Sequence, residues 1–267
     1  MPHILAVANQ KGGVAKTTTV ASLGAALAEL GRRVLLVDLD PQACLSFSLG
    51  LDPDALGVSV HEVLLGQAPA SRAITPTQDG PDLLPATIDL AGCEAMLLTR
   101  TGREYALRTA LQDLAENTSY DDVLVDCPPS LGVLTINGLT AADELLIPLQ
   151  CETLSHRGVG QLMDTVADIR RLTNRDLRVL GVLPTLYDAR TLHARDVLAD
   201  IHDRYGLAVL EPAIPRSVRF AEAPAAGRSV LATASRLRGA TAYRELAAWL
   251  VAQRAEAGPQ SPASRRR

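Results

Sequence analysis

Aromatic side chains are nearly missing from this sequence: two Phe, five Tyr and one Trp among 267 residues. A core of any size must therefore be aliphatic, built from Val, Leu, Ile and Ala. Cysteine is scarce as well. Cys44, Cys93, Cys127 and Cys151 are widely spaced and form no C-x-x-C pair, so the expectation is free thiols in a reducing cytosol. No signal peptide is visible at the N-terminus and no apolar run approaches bilayer length, which reads as a soluble, cytoplasmic chain with no membrane partner. An excess of one charge is lacking too. A net charge of −4 and a pI near 5.7 give no overall pull toward nucleic acid, so any DNA contact must come from a local basic patch. No internal repeat is present. What remains is 47% hydrophobic and 21% charged, enough for a sizeable core without disulfides or metals.

The richest stretch is Asn9-Gln10-Lys11-Gly12-Gly13-Val14-Ala15-Lys16-Thr17-Thr18-Thr19. It follows the apolar run Ile4–Ala8 and precedes an Ala/Leu-rich segment, the strand–turn–helix layout of a phosphate-binding loop. Gly12 and Gly13 let backbone N–H groups turn toward an anion, and the helix N-terminus adds partial positive charge. Lys16 can reach terminal phosphates, and the Thr17 hydroxyl can hold Mg²⁺. The pattern G-x-x-x-x-G-K-[ST] fails at both glycines, with Gln10 at the first and Ala15 at the second. If Ala15 has negative φ its methyl costs little; if φ must be positive, the loop is strained by about 1 kcal/mol or more.

Along the chain, a helix is expected over 17–30, with Val20, Leu23, Leu27 and Leu30 on one stripe and Gly31 as its stop. The all-apolar strand 33–37 then completes a right-handed βαβ unit. It ends in Asp38-Leu39-Asp40-Pro41-Gln42, and carboxylates beyond the carboxyl end of a parallel strand face the ligand side of the sheet. Residues 51–100 are broken by Pro and Gly, with short helices expected at 58–65 and 88–99, another at 105–114, and a strand at 83–84. A second apolar strand at 122–126 ends in Asp126 and runs into Cys127-Pro128-Pro129-Ser130, the form of a Walker B segment followed by a stiff loop. Strands at 144–149 and 179–183 follow, with helices at 158–172, 196–205 and 240–255. The reading is an α/β fold of P-loop NTPase type, a mostly parallel twisted β-sheet flanked by helices on both faces. Residues 257–267 read as a disordered Pro/Ser/Arg tail, and the family that these motifs resemble implies that residues 1–256 form a single ATPase domain.

The loop resembles the deviant Walker A, K-G-G-x-G-K-[ST], of the ParA/MinD/nitrogenase-iron-protein class. With NQKGGVAKTTT, LLVDLDPQ, VLVDCPPSLG, YDART and IPRSVRFAEA in order, the chain from about residue 3 to 255 resembles the ParA/Soj partition ATPases. That resemblance implies ATP and Mg²⁺ as cofactors and an ATP-dependent homodimer with two nucleotides sandwiched between subunits. Lys11 would reach the partner's phosphates like an arginine finger. Gly12 would lie in the tight dimer contact. Lys16 would hold phosphates in its own site, with Gly12, Gly13, Val14, Ala15, Thr17 and Thr18 lining it and Pro215 beside the adenine ring. Thr17, Asp38 and Asp126 would serve the metal, Asp38 supporting its shell, and Asp40 would position or activate the attacking water.

The resemblance further implies sequence-independent DNA binding and nucleoid association through Arg190, Arg216 and Arg219, with a ParB-type partner that stimulates slow hydrolysis. The same arginines could instead make surface salt bridges, and the tail arginines could add DNA affinity or do nothing. The sequence enters its first strand at once, so no helix-turn-helix is expected ahead of it and no operator specificity. Neighbouring readings are weaker. The C-terminal segment has no basic amphipathic face of the MinD kind. Cys93 and Cys127 read as buried small residues rather than ligands of a bridging cluster. A positioning ATPase for a non-DNA cargo, or a non-catalytic nucleotide-dependent scaffold, would use the same residues, although the presence of both Asp40 and Asp126 speaks against lost chemistry.

Overall fold

A computed structural model describes residues 1–152 and 155–256; the Pro/Ser/Arg tail at 257–267 lies outside the described residues. Seven strands form one sheet in the order β3-β4-β2-β5-β1-β6-β7. They are β1 (His3–Val7), β2 (Val34–Asp38), β3 (Thr75–Pro76), β4 (Asp82–Leu84), β5 (Asp122–Asp126), β6 (Glu144–Gln150) and β7 (Arg178–Thr185). Every pairing is parallel except β3 with β4, a two-residue antiparallel edge that sequence reasoning did not foresee. Thr75-Pro76 is too short to carry a period, and its proline is tolerated because an edge strand need not donate on its outer side.

Alternation along the strands divides the aliphatic core. Ile4, Ala6, Leu35, Val37, Val123 and Val125 join one apolar layer, while Leu5, Val7, Val34, Leu36 and Leu124 join the other. Both faces of β1, β2 and β5 are thus covered, as continuous apolar runs in parallel sheets require. The first half of the chain supplies helices α1 (Lys16–Glu29), α2 (Cys44–Ser48), α3 (Val60–Leu64), α4 (Ala70–Ala73), α5 (Leu90–Leu98) and α6 (Ala106–Ala115). The second half supplies α7 (Val133–Ala141), α8 (Ser155–Leu172), α9 (Leu192–Tyr205), α10 (Arg219–Glu222), α11 (Val230–Thr233) and α12 (Arg238–Glu256). α1 and α12 pack together over one face. α1 is accordingly buried on nearly every side, not along one stripe: Thr19 through Leu27 are all buried, whereas Leu30, expected on the stripe, caps the helix at 51% exposure. On the other face, α8 buries Val159, Leu162, Val166 and Ile169 as its spacing predicts.

Tyr243 is the largest fully buried side chain, and the described core is otherwise aliphatic. The end of the sheet remote from the strands' carboxyl termini is closed by charge. Arg254 of α12 donates to Asp122 at 2.5 Å and to Glu144 at 2.8 Å, while Arg32 pairs with Asp122 and Arg178 with Glu144. Asp122, Glu144 and Arg254 are buried, so this cluster ties the last helix to β5 and β6.

Candidate functional site

Register alone brings the sequence motifs together. In the parallel sheet Val7 pairs with Asp126, and Asp126 pairs with Asp38, so the ends of β1, β5 and β2 lie in one row. The glycine loop leaves β1 there, and the two aspartates stand beside it. Asn9, buried, staples the loop to the sheet: its amide donates to the Pro148 carbonyl at 2.7 Å, and its oxygen accepts from Lys11 N–H at 3.0 Å. Thr185, at the end of β7, donates to the Val14 carbonyl at 3.0 Å. Gly13 has φ +74°, with open space around it, so its backbone conformation rather than crowding calls for glycine. Lys16 is buried and donates across the loop to the Lys11 carbonyl at 3.2 Å. Burial holds its ammonium pKa down, against the pull of Asp126 and Asp40.

Ala15 falls on the strained branch. It is the N-cap of α1 with φ 63° and ψ 33°, and its side chain caps nothing. Two other non-glycine residues have positive φ, Ala43 and Leu186. Leu186 and Ala15 both line the same cleft, and Ala43 adjoins Cys44, which also lines it. Every left-handed non-glycine residue among the described residues is thus gathered around one cavity, as stored backbone strain at a working site would be.

That cleft, of about 450 Å³, is lined by the phosphate-loop residues Gly12, Gly13, Lys16, Thr17 and Thr18 together with Asp40 and Pro129. Ile214, Pro215, Phe220 and Tyr243 give it an apolar wall. Pro215 is therefore brought to the loop across two hundred residues of chain. The apolar wall was not foreseen beyond Pro215; the one available signal was Phe220, one of only two phenylalanines, set within the basic segment.

The aspartates differ in what they can do. Asp38 is fully buried and already occupied: one oxygen accepts from Asp40 N–H at 3.1 Å, the other from Ser46 N–H at 2.9 Å and the Ser46 hydroxyl at 2.8 Å. Burial pushes its pKa up to about 6 despite those bonds. Asp40 is half-buried and accepts from Gln42 N–H at 2.9 Å. Asp126 is buried with no hydrogen bond of ordinary geometry to either carboxylate oxygen, although the Thr17 hydroxyl lies near enough to ease its ionisation. Burial first, and then Asp38, hold its pKa well above the usual carboxylate range.

An unpaired buried carboxylate beside a threonine hydroxyl and a phosphate loop suits a divalent cation, which would supply the missing charge. Among the described residues no three carboxylate, imidazole or thiol groups form a protein-only cage.

Lys11 points out of the loop and is paired with Glu152 at 2.5 Å, both side chains part-exposed. Nothing in the sequence marked Glu152, because the pair joins residues 141 apart. The predicted DNA contacts also come together. Tyr187 bridges Pro215 in parallel, with Tyr187 N–H donating to the Ile214 carbonyl at 2.9 Å, so the segments carrying Arg190 and Arg216–Arg219 run side by side. All three arginines are exposed. Arg190 pairs with Asp188 at 2.8 Å and Arg219 with Glu222 at 2.7 Å, both weak, solvent-screened pairs.

Comparison with known proteins gives a consistent set. A family model described as an AAA domain matches residues 2–179. The chromosome partitioning protein ParA of Caulobacter vibrioides is 44% identical over 246 residues, covering 92% of each chain. The sporulation initiation inhibitor protein Soj of Bacillus subtilis is 43% identical over 248 residues, covering 92% of this chain and 97% of its own. A solved structure titled cobyrinic acid a,c-diamide synthase from Mycobacterium smegmatis, with bound ADP and magnesium, is 61% identical with a TM-score of 0.84, and 94% of each chain is covered.

Proposed function

The chain belongs to the ParA family of chromosome-partitioning ATPases, and from that premise we propose that it is a Mg²⁺-dependent ATP switch that binds DNA without sequence preference. The observation that carries this reading is the row formed by the loop, Asp38 and Asp126 at one end of the sheet, with Asp126 unpaired beside Thr17. The M. smegmatis structures, with ADP or an ATP analog and magnesium, support ATP and Mg²⁺ as its ligands.

In this reading Lys16 and the first-turn N–H groups of α1 hold the phosphates. Thr17 and Asp126 would hold Mg²⁺, which would supply positive charge against the bound phosphates. Asp38, through Ser46, fixes the segment that carries Asp40, and Asp40 orients the attacking water. Pro215 borders the base. Lys11 has no phosphate to reach within its own cleft while it is held by Glu152. A second chain offers one, so the full set of charges is assembled only in a dimer sandwiched over two nucleotides. Gly12 is compatible with that geometry: nothing in its own chain lies within 4 Å of a Cβ placed there, so its surface is open to a bound phosphate or a partner chain. Intrinsic turnover is slow until a ParB-type partner stimulates it.

Arg190, Arg216 and Arg219 contact phosphates of duplex DNA, giving salt-sensitive, sequence-independent affinity and nucleoid association of a cytoplasmic protein. Residues 1–256 act as one ATPase domain. The test is phosphate release with Lys16→Ala: loss of hydrolysis is expected, and an unchanged rate refutes the assignment.

One observation favours a second reading. The name carried by the 61%-identical structure is that of an amide synthase. Amide formation by covalent catalysis through a cysteine would call for a thiolate nucleophile. Here all four cysteine thiols are pushed up in pKa, those of Cys93 and Cys151 to about 11, with burial the largest cause in each. Hydrolysis that responds to DNA and a partner protein supports the switch; hydrolysis that responds only to cobyrinic acid supports the synthase.

A further inference from the structure

The inner wall of the cleft and the basic segment are a single stretch of chain. Ile214, Pro215 and Phe220 face the cleft, while Arg216, Val218 and Arg219 among them are exposed. No linker separates the two sets, so displacement of the inner residues moves the arginines.

Phe220 is where this stretch is tied to the body of the molecule. Its ring meets Tyr243 edge-to-face, with centroids 6.1 Å apart and planes at 88°. It also lies over Gly239 of α12, where even a methyl group would come within 2.4 Å of the Phe220 Cζ. Tyr243 is fully buried, and its phenol oxygen lies 3.0 Å from the hydroxyl of Thr19, which is also buried. Thr19 sits in the first turns of α1, three residues beyond Lys16, and its N–H closes on the Ala15 carbonyl at 2.9 Å. A continuous packed path thus runs from the phosphate-loop helix, through one hydroxyl–hydroxyl bond and one ring contact, to the arginine segment. The polar link is specific, because either hydroxyl left alone in this apolar layer would be unsatisfied. So is the ring contact, because edge-to-face geometry needs two aromatics in a chain that has very few.

We propose that Phe220 and Tyr243 are positioning residues that couple occupation of the cleft to the DNA-binding arginines within one chain, in addition to any effect of pairing two chains. The inference rests on the DNA-binding reading given above. Coupling of this kind is reciprocal: if ATP raises affinity for DNA, DNA raises affinity for ATP by the same factor.

The experiment measures duplex affinity by fluorescence anisotropy, with one unrelated duplex, without nucleotide and at ATP·Mg²⁺ concentrations shown to saturate each protein. The full chain is compared with Tyr243→Phe, Phe220→Leu and Gly239→Ala, and sedimentation in the same buffer reports dimer formation. Tyr243→Phe deletes one hydroxyl and keeps the ring, and Gly239→Ala displaces the Phe220 ring without altering it. Each variant is expected to lose about fivefold or more of the ATP-dependent gain in DNA affinity while still forming the ATP dimer, with the reciprocal gain in ATP affinity falling by the same factor. A gain within about twofold of wild type for Tyr243→Phe and Phe220→Leu overturns the inference, as does loss of DNA binding only in step with loss of the dimer. Absence of any ATP-dependent gain in the wild type overturns the DNA-binding reading itself, and the inference with it.

Discussion

Replacing Ala15 by glycine should make this protein more stable. Ala15 sits at φ 63° and ψ 33°, where a Cβ crowds the following carbonyl. The left-handed conformation costs a non-glycine residue about 1–2 kcal/mol, and glycine removes that cost. Against this, glycine widens the unfolded ensemble by about 0.4–1 kcal/mol. A smaller gain comes from the helix start, because Ala15 is an N-cap that makes no side-chain bond and glycine is better tolerated there than alanine. The net expectation is stabilisation of about 1 kcal/mol, a rise in Tm of about 2–4 °C for a chain of this size. The assay is thermal and urea unfolding of the nucleotide-free protein, with a rise in the urea midpoint at unchanged slope. Ala15→Val, which places a β-branched side chain at the same φ, should move the midpoint the other way by at least as much. A fall in Tm for Ala15→Gly, or no change in either variant, would refute the claim that the loop is strained.

Other outcomes follow from the same geometry. Gly12→Val should fold normally, with Tm within about 2 °C of wild type, yet remain a monomer with ATP by sedimentation; a clear loss of stability would show that its own chain needs the glycine. Arg254→Ala leaves Asp122 and Glu144 buried with only Arg32 and Arg178, and should cost about 3 kcal/mol in urea unfolding; a cost below about 1 kcal/mol would show the cluster to be solvated. The Asp38 pKa, raised to about 6, gives a pH signature. An acid with a folded pKa above its unfolded value binds more protons when folded, so stability falls as pH rises from about 4 to 6 and the cost persists above that. Asp38→Asn in the nucleotide-free protein should therefore gain Tm relative to wild type at pH 8 compared with pH 4, and a pH-independent difference would contradict the burial of charge.

The strands that build the site were legible because parallel β-strands buried on both faces are unbroken apolar runs, as in Val34–Val37 and Val123–Val125. Their order was not, because register between β1, β5 and β2 is set by packing across the sheet rather than by local pattern. The first turns of α8 and α9 lie ahead of the residues whose spacing announces the helices. α7 escaped notice because it is buried on nearly all sides, Thr135, Asn137 and Thr140 included, and so shows no apolar stripe. At the site, motif residues were readable from glycine, lysine and aspartate chemistry. The pairings of Lys11 with Glu152 and of Thr19 with Tyr243 were not, since each joins residues far apart in sequence. The phosphate loop itself left one question open, the conformation of Ala15, and backbone geometry answers it.

The most direct measurement for the central claim is sedimentation of Asp40→Ala with ATP and Mg²⁺, with bound nucleotide counted. Asp40 lines the cleft, and in the proposed reading it orients the attacking water rather than holding the phosphates. The variant should therefore sediment as a dimer carrying one ATP per chain, and remain so for as long as ATP persists. A monomer with ATP bound at every protein concentration would contradict a site that is completed by a second chain.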